Sequence, residues 1–203
     1  MKMMLKNATL STLILLLAGS ANAQGDNAAG QAGPPVLAKT LAPARMSTRL
    51  AVTSPAFTSG KTLDEKYTQD GSNMSPPLAW NRGPTGTQSY VVLVEDAGVN
   101  RAEPIVHWIV YNIPSTARYL PSETPGDTAL PQEIMQGKNV SGSTGYLGPK
   151  PPAGETHPYH FQIFALRTRL DIDPASADRA TVIAAMKGRV LAVGDLIGNY
   201  TGK

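Results

Sequence analysis

Apolar positions gather in three stretches of the chain, "SYVVLVED" (89–96), "IVHWIVYNIP" (105–114) and "YHFQIFALRTRL" (159–170). Each is rich in β-branched or aromatic residues and bounded by Gly, Pro or Asn, which predicts β-strands, two of them buried on both faces. "DRATVIAAMKG" (178–188) has helical character instead: Val182, Ile183 and Met186 share one side, and Gly188 stands where a helix ends. Short strands with Gly- and Pro-rich connections and one clear helix predict an all-β fold, an antiparallel β-sandwich with small peripheral helices.

The pattern changes at the N-terminus. Residues 1–23 combine Lys2 and Lys6, an apolar run from Leu13 to Ala18, and the ending Ala21-Asn22-Ala23. That order predicts a secretory signal peptide cut after Ala23, and with it an exported, periplasmic protein. The run is far shorter than the roughly 20 residues a membrane helix needs, so no membrane span is expected in the mature chain. Residues 24–49 are rich in Ala, Gly and Pro and read as a flexible leader. Residues 50–203 make one domain, long enough at about 150 residues to bury nearly 70% of its unfolded surface.

Charge and cysteine content narrow the class. The formal net charge is +3, but beyond residue 49 there are 13 basic and 14 acidic residues. A near-neutral domain argues against a nucleic-acid partner. The chain has no cysteine, which removes a disulfide framework and a thiol-linked lipid anchor.

Strand geometry then places the polar groups. Asp96 ends one predicted strand and His107 lies near the start of the next, so antiparallel pairing brings both to the same end of a sheet. In "GPKPPAGETHPYHF" (148–161) the period of two puts His157 and Tyr159 on one face and His160 on the other. The prolines form a rigid wall beside them, because proline lacks a backbone donor and loses little entropy on ordering.

Five segments, in order, resemble the phosphatidylethanolamine-binding protein family, in particular its bacterial Raf-kinase-inhibitor-like (YbhB/YbcL-type) branch. They are "YTQDGSNMSPPLAW" (67–80), "SYVVLVEDAGV" (89–99), "PIVHWIVYNIP" (104–114), "GYLGPKPPAGETHPYHFQIFAL" (145–166) and "MKGRVLAVGDLIGNY" (186–200). The resemblance implies a β-sandwich with a small pocket for anions such as phosphate and phosphorylated head groups. By matching positions, it implies a ligand-binding site built from Asp96, His107, Gly148, Pro149, Pro151, Pro152, His157 and Tyr159. Two departures stand out. The family usually has Asp-Pro-Asp-Ala-Pro where this chain has Asp96-Ala97-Gly98-Val99-Asn100, and usually Gly-His where it has Gly188-Arg189.

Three function classes follow. The first, favoured here, is a non-catalytic binding protein for small anionic or phosphorylated ligands, a phospholipid head group among them, needing no cofactor and no metal. Imidazoles near an intrinsic pKa of about 6.5 would tighten such binding in mild acid. The second is an inhibitor or modulator of a protein partner; the reading also admits a homodimer. The third, a metal-dependent hydrolase, has less support, since Ser141 and Ser143 lack a nucleophile-elbow motif.

Overall fold

The structure, a computed structural model, describes residues 33–124 and 129–203. The expected signal peptide and its expected processing site after Ala23 lie outside those residues, as does the expected leader up to residue 32. Ten strands are present among the described residues: β1 (Val52–Thr53), β2 (Lys61–Thr62), β3 (Leu78–Trp80), β4 (Ser89–Asp96), β5 (Ile105–Pro114), β6 (Tyr119–Leu120), β7 (Ala129–Leu130), β8 (Ile134–Gln136), β9 (Thr156–Leu166) and β10 (Val190–Thr201). Two short α-helices accompany them, α1 (Ala38–Leu41) and α2 (Arg179–Met186). The expected all-β sandwich is therefore present.

Seven strands form the main sheet in the order β2-β10-β9-β4-β5-β8-β7, and β1-β3-β6 form a smaller one. Pairing is antiparallel except where β2 runs parallel to β10. The central strands are covered on both sides. Val92, Val94, Trp108, Phe161 and Ile163 pack with Leu78, Trp80 and Leu120 of the small sheet. On the opposite face Val91, Leu93, Ile109 and Phe164 pack with Val182, Ile183 and Met186 of α2. Burial on both faces explains why β4 and β5 read as continuous apolar runs rather than as alternation.

Local chemistry sets the ends of α2. The Asp178 carboxylate accepts from the Thr181 amide at 2.8 Å, satisfying an otherwise free donor of the first turn. Gly188 has φ of 71°, a left-handed conformation that glycine adopts without strain, and turns the chain into β10.

From Val36 onward the leader is part of the packed domain, unlike the flexible segment expected as far as residue 49. Leu37, Ala38 and Ala42 are buried. The Val36 amide donates to the Ala102 carbonyl, and the Arg45 amide to that of Val190. No helix among the described residues is long and apolar enough to cross a membrane.

Candidate functional site

β4 ends at Asp96, which faces Tyr159 on β9 and Ile105 on β5 in the sheet register. His157 precedes Tyr159 by two positions and so shares its face, while His160 turns to the other face and bonds Asp195 at 2.8 Å. The His157 ring donates from Nδ1 to Asp96 Oδ2 at 2.8 Å and lies 3.1 Å from Oδ1. Its Nε2 stands 3.3 Å from Glu155 Oε2. The Gly98 amide donates to Asp96 Oδ1 at 2.7 Å. A Cβ on Gly98 would fall 2.3 Å from His157 Cγ, so the backbone of the loop lies directly on the imidazole. The departure from the family pattern at this position thus lies against the ring that holds Asp96.

His107 owes its direction to a β-bulge. Val94 pairs with Trp108 and Glu95 with Val106, which leaves His107 as an extra residue on β5. The bulge separates its neighbours: Trp108 packs in the same core cluster as Tyr159, and Val106 in the cluster on the opposite face. The His107 ring meets Tyr159 edge-on at 5.1 Å. Its Nδ1 is 2.6 Å from the Leu147 carbonyl, which can only accept, so Nδ1 carries the proton. Nε2 is then a bare lone pair in the neutral ring. That atom and the Tyr159 hydroxyl are both buried without a hydrogen-bond partner.

The titration behaviour of the two histidines is opposite. Burial pushes His107 below its ordinary value, outweighing the Leu147 carbonyl and the Asp96 charge, which both favour the proton. Burial also opposes the charged form of His157, but the hydrogen bond and charge of Asp96, followed by those of Glu155, raise it. His157 therefore holds a proton where His107 has lost its own, and its charge offsets that of Asp96. The Tyr159 phenol is pushed well up, by burial first and then by Asp96.

A cavity of about 150 Å³ opens at this point, lined by Gln69, Asp96, Ile105, His107, Val140, Leu147, Lys150 and Tyr159. Of the residues expected from the sequence, Asp96, His107 and Tyr159 line it, and His157 braces Asp96 from the side. Gly148 backs the site: its backbone favours the protonated form of His107, while its amide donates to Asn73 Oδ1 and its carbonyl accepts from Gln69 Nε2, each at 2.7 Å. Pro149 accepts from the Gln69 amide at 3.0 Å. Pro151 and Pro152 lie against Gly202, where an added Cβ would be 2.3 Å from either carbonyl oxygen. The proline stretch thus anchors the site's frame, and its prolines are not among the residues lining the cavity. Arg189 is exposed in the turn between α2 and β10.

Gln69 and Lys150 are the polar lining residues that sequence reasoning missed. Lys150 carried a signal, as the one cation inside the rigid "GPKPP" run. Among the described residues, no group of three or more His, Asp or Glu side chains is arranged to hold a metal ion. Ser141 donates its hydroxyl to Asn139 Oδ1 at 2.6 Å.

Comparison with known proteins identifies the family and the fold. The family profile described as "Phosphatidylethanolamine-binding protein" matches residues 53–201. A UPF0098 protein of Methanothermobacter thermautotrophicus is 39% identical over 145 residues, covering 71% of this chain and 94% of its own length. YbhB of Escherichia coli, another UPF0098 protein, is 41% identical over 110 residues, 53% of this chain and 70% of that one. Among solved structures, E. coli YbcL, a member of the mammalian PEBP family, has a TM-score of 0.71 at 32% identity over 77% of this chain and 100% of its own. The PEBP homolog CT736 of Chlamydia trachomatis has a TM-score of 0.68 at 30% identity, with the same coverage.

Proposed function

Because the chain belongs to the phosphatidylethanolamine-binding protein family, and because its small cavity is built around unpartnered buried polar atoms, we propose that it is an exported, non-catalytic binding protein for small anionic or phosphorylated ligands. The observation that carries this reading is the pair formed by His107 Nε2 and the Tyr159 hydroxyl, both buried at one cavity with no well-formed hydrogen bond to a described residue. A buried polar group without a partner costs roughly 1–3 kcal/mol, and a ligand oxygen restores what is missing.

Each polar side chain has a distinct task. Tyr159 and Lys150 supply donors to an anion, and the Tyr159 phenol stays protonated because its pKa is raised. His107 supplies an acceptor when neutral and a donor when protonated, so it matches a phosphate P–OH at neutral pH and a phosphate oxygen in mild acid. Asp96, its charge offset by His157, is available to accept from a ligand ammonium group, which makes phosphoethanolamine a suitable probe. The order of features in residues 1–23 supports export, and mass spectrometry of the secreted chain should find Gln24 at its N-terminus.

Calorimetric titration with phosphate and with phosphoethanolamine, at pH 6 and pH 8, tests the pocket. Saturable binding that is tighter at pH 6 and weakened by His107→Phe is the expected result. Absence of saturable binding at both pH values would overturn the anion-pocket reading.

A further inference from the structure

At the other end of β4 from Asp96 lies a second, larger cavity of about 410 Å³, bordered by Arg82, Thr85, Thr87, Tyr90, Ser115, Thr116 and Arg118 with Gly83, Pro84 and Gly86. Tyr90 and Asp96 are six positions apart on one strand, which at about 3.3 Å per residue separates the two cavities by roughly 20 Å. We propose that this cavity is a second anion site, for the phosphate group of a small soluble ester, independent of the Asp96 pocket.

Charge is the first argument. Two arginines border the cavity and no carboxylate does. Neither Arg82 nor Arg118 forms an ion pair among the described residues. The domain as a whole is close to neutral, so this unbalanced pair is a local feature, open to a ligand of opposite sign.

Preorganisation is the second. Arg118 is half-buried, and its Nη1 alone donates to the Ser115 carbonyl at 2.7 Å, the Ala117 carbonyl, and the Tyr90 hydroxyl at 3.3 Å. Its guanidinium also stands 5.9 Å from the Tyr90 ring centre. Nε and Nη2, the edge suited to a two-point contact with an oxyanion, make no hydrogen bond among the described residues. The facing loop is equally fixed. Thr87 donates its hydroxyl to the Pro84 carbonyl at 2.7 Å, the Gly83 amide donates to the Tyr90 hydroxyl at 2.9 Å, and Gly86 has φ of 91°.

The donor count selects the ligand class. The hydroxyls of Thr85, Ser115 and Thr116 make no hydrogen bond among the described residues and add to the two guanidinium groups. That is more than the two oxygens of a carboxylate can accept, and it suits the three terminal oxygens of a phosphate ester. The volume falls in the range of small-molecule pockets, about 300–1,000 Å³, leaving room for the esterified group.

Amide chemical-shift titration of isotope-labelled protein tests the proposal, with inorganic phosphate, glycerol 3-phosphate and, as a control, acetate. Saturating shifts at Thr85, Gly86 and Thr116 are expected with both phosphate probes, and a tighter response to the ester identifies it as the better ligand. Arg82→Ala, at an exposed position, and Arg118→Lys should each weaken this response about tenfold, the loss of one charge-assisted contact. Shifts at Gly98 and Leu147 report the Asp96 pocket separately, so failure of one site is distinguished from failure of the other. No saturating shift at Thr85, Gly86 and Thr116, an equal response to acetate, or unchanged affinity in both variants would overturn the second site.

Discussion

The His157 imidazole donates from Nδ1 to Asp96 across two neighbouring strands, at 2.8 Å from Oδ2 and 3.1 Å from Oδ1, with both residues buried. This contact resolves a difficulty of charge, since a bare carboxylate at the edge of an anion pocket would repel its ligand. Paired with an imidazolium, it does not.

His157→Leu should therefore be costly, because it leaves Asp96 buried without its charged partner, with the Gly98 amide and the nearby Tyr159 hydroxyl as its remaining polar contacts. A loss of about 3–5 kcal/mol is expected in urea unfolding, the usual consequence of stranding a buried charge. The sign with pH follows from the raised pKa of His157. The charged pair's contribution is complete below the unfolded value of about 6.5 and is lost as pH rises through the higher folded value. His107 behaves in the opposite sense: its folded pKa is lowered, so its contribution is complete above about 6.5 and is lost as pH falls through the lower folded value. NMR titration should show His157 titrating above 6.5 and His107 below it. Equal titration of the two rings would contradict this assignment.

Gly98 is the position at which the loop after β4 touches the His157 ring. Alanine there would place a methyl 2.3 Å from Cγ and 2.7 Å from Cβ and Cδ2 of His157. The ring or the loop has to move, at a cost of about 1–3 kcal/mol for overpacking. Gly98→Ala should lower the denaturation midpoint and shift the His157 ring resonances together. A variant that keeps both unchanged would show that the loop tolerates a side chain, and that the family departure here has no steric cause.

Tyr159 separates stability from binding. Its hydroxyl is buried beside the Asp96 carboxylate and the Lys150 backbone without a well-formed hydrogen bond to either, so Tyr159→Phe removes little from the ligand-free fold. Stability should stay level or rise by about 1 kcal/mol, since the desolvation cost of that hydroxyl disappears. Phosphate affinity should fall, because a donor to the ligand has been removed. A variant less stable than the parent by about 2 kcal/mol or more would show that the hydroxyl has a structural role.

Much of this architecture is legible in the residues, and the exceptions have physical reasons. The boundaries of β4 and β5 follow from unbroken apolar runs, and α2 from Asp178 and Gly188 at its ends. β9 starts at Thr156 rather than 159, because Pro158 conceals a strand whose register with β10 is regular from Ala192 to Thr201. β10 was not expected as a strand. Its inward positions do alternate, but Gly194 and Gly198 occupy two of them, where Leu50, Val52 and Leu63 approach too closely for any side chain. Strand geometry pairs Asp96 with His107 and His157 with Tyr159, and the family resemblance is what joins the two pairs into one site. The bulge that aims His107 was not legible, since no Gly or Pro marks it, and Gln69 joins the cavity through contacts distant in sequence.

The leader is the largest difference from the sequence-based expectation, and it leads to the last prediction. Glu95, the neighbour of Asp96 on β4, points to the opposite face and is fully buried. Its carboxylate accepts from the Ala38 amide at 2.8 Å, from Gln162 Nε2 at 2.7 Å and from Arg179 Nε at 2.7 Å. Lys39, one residue further along, donates its amide to Gln162 Oε1 and pairs through Nζ with Asp195. Burial would raise the Asp195 pKa, but the bonds from His160 and Lys39 lower it, so this part of the contact persists until pH falls through the lowered value. A chain starting at residue 47 loses the Ala38 donor and the Lys39 charge and exposes the apolar surface covered by Leu37, Ala38 and Ala42. It should be less stable than a chain starting at residue 33 by about 3–5 kcal/mol at neutral pH, as for other buried ion networks deprived of a partner. Urea unfolding of the two chains measures the difference. Equal stability would mean that residues 36–46 lie on the domain without supporting it, and that Arg179 and Gln162 suffice for Glu95.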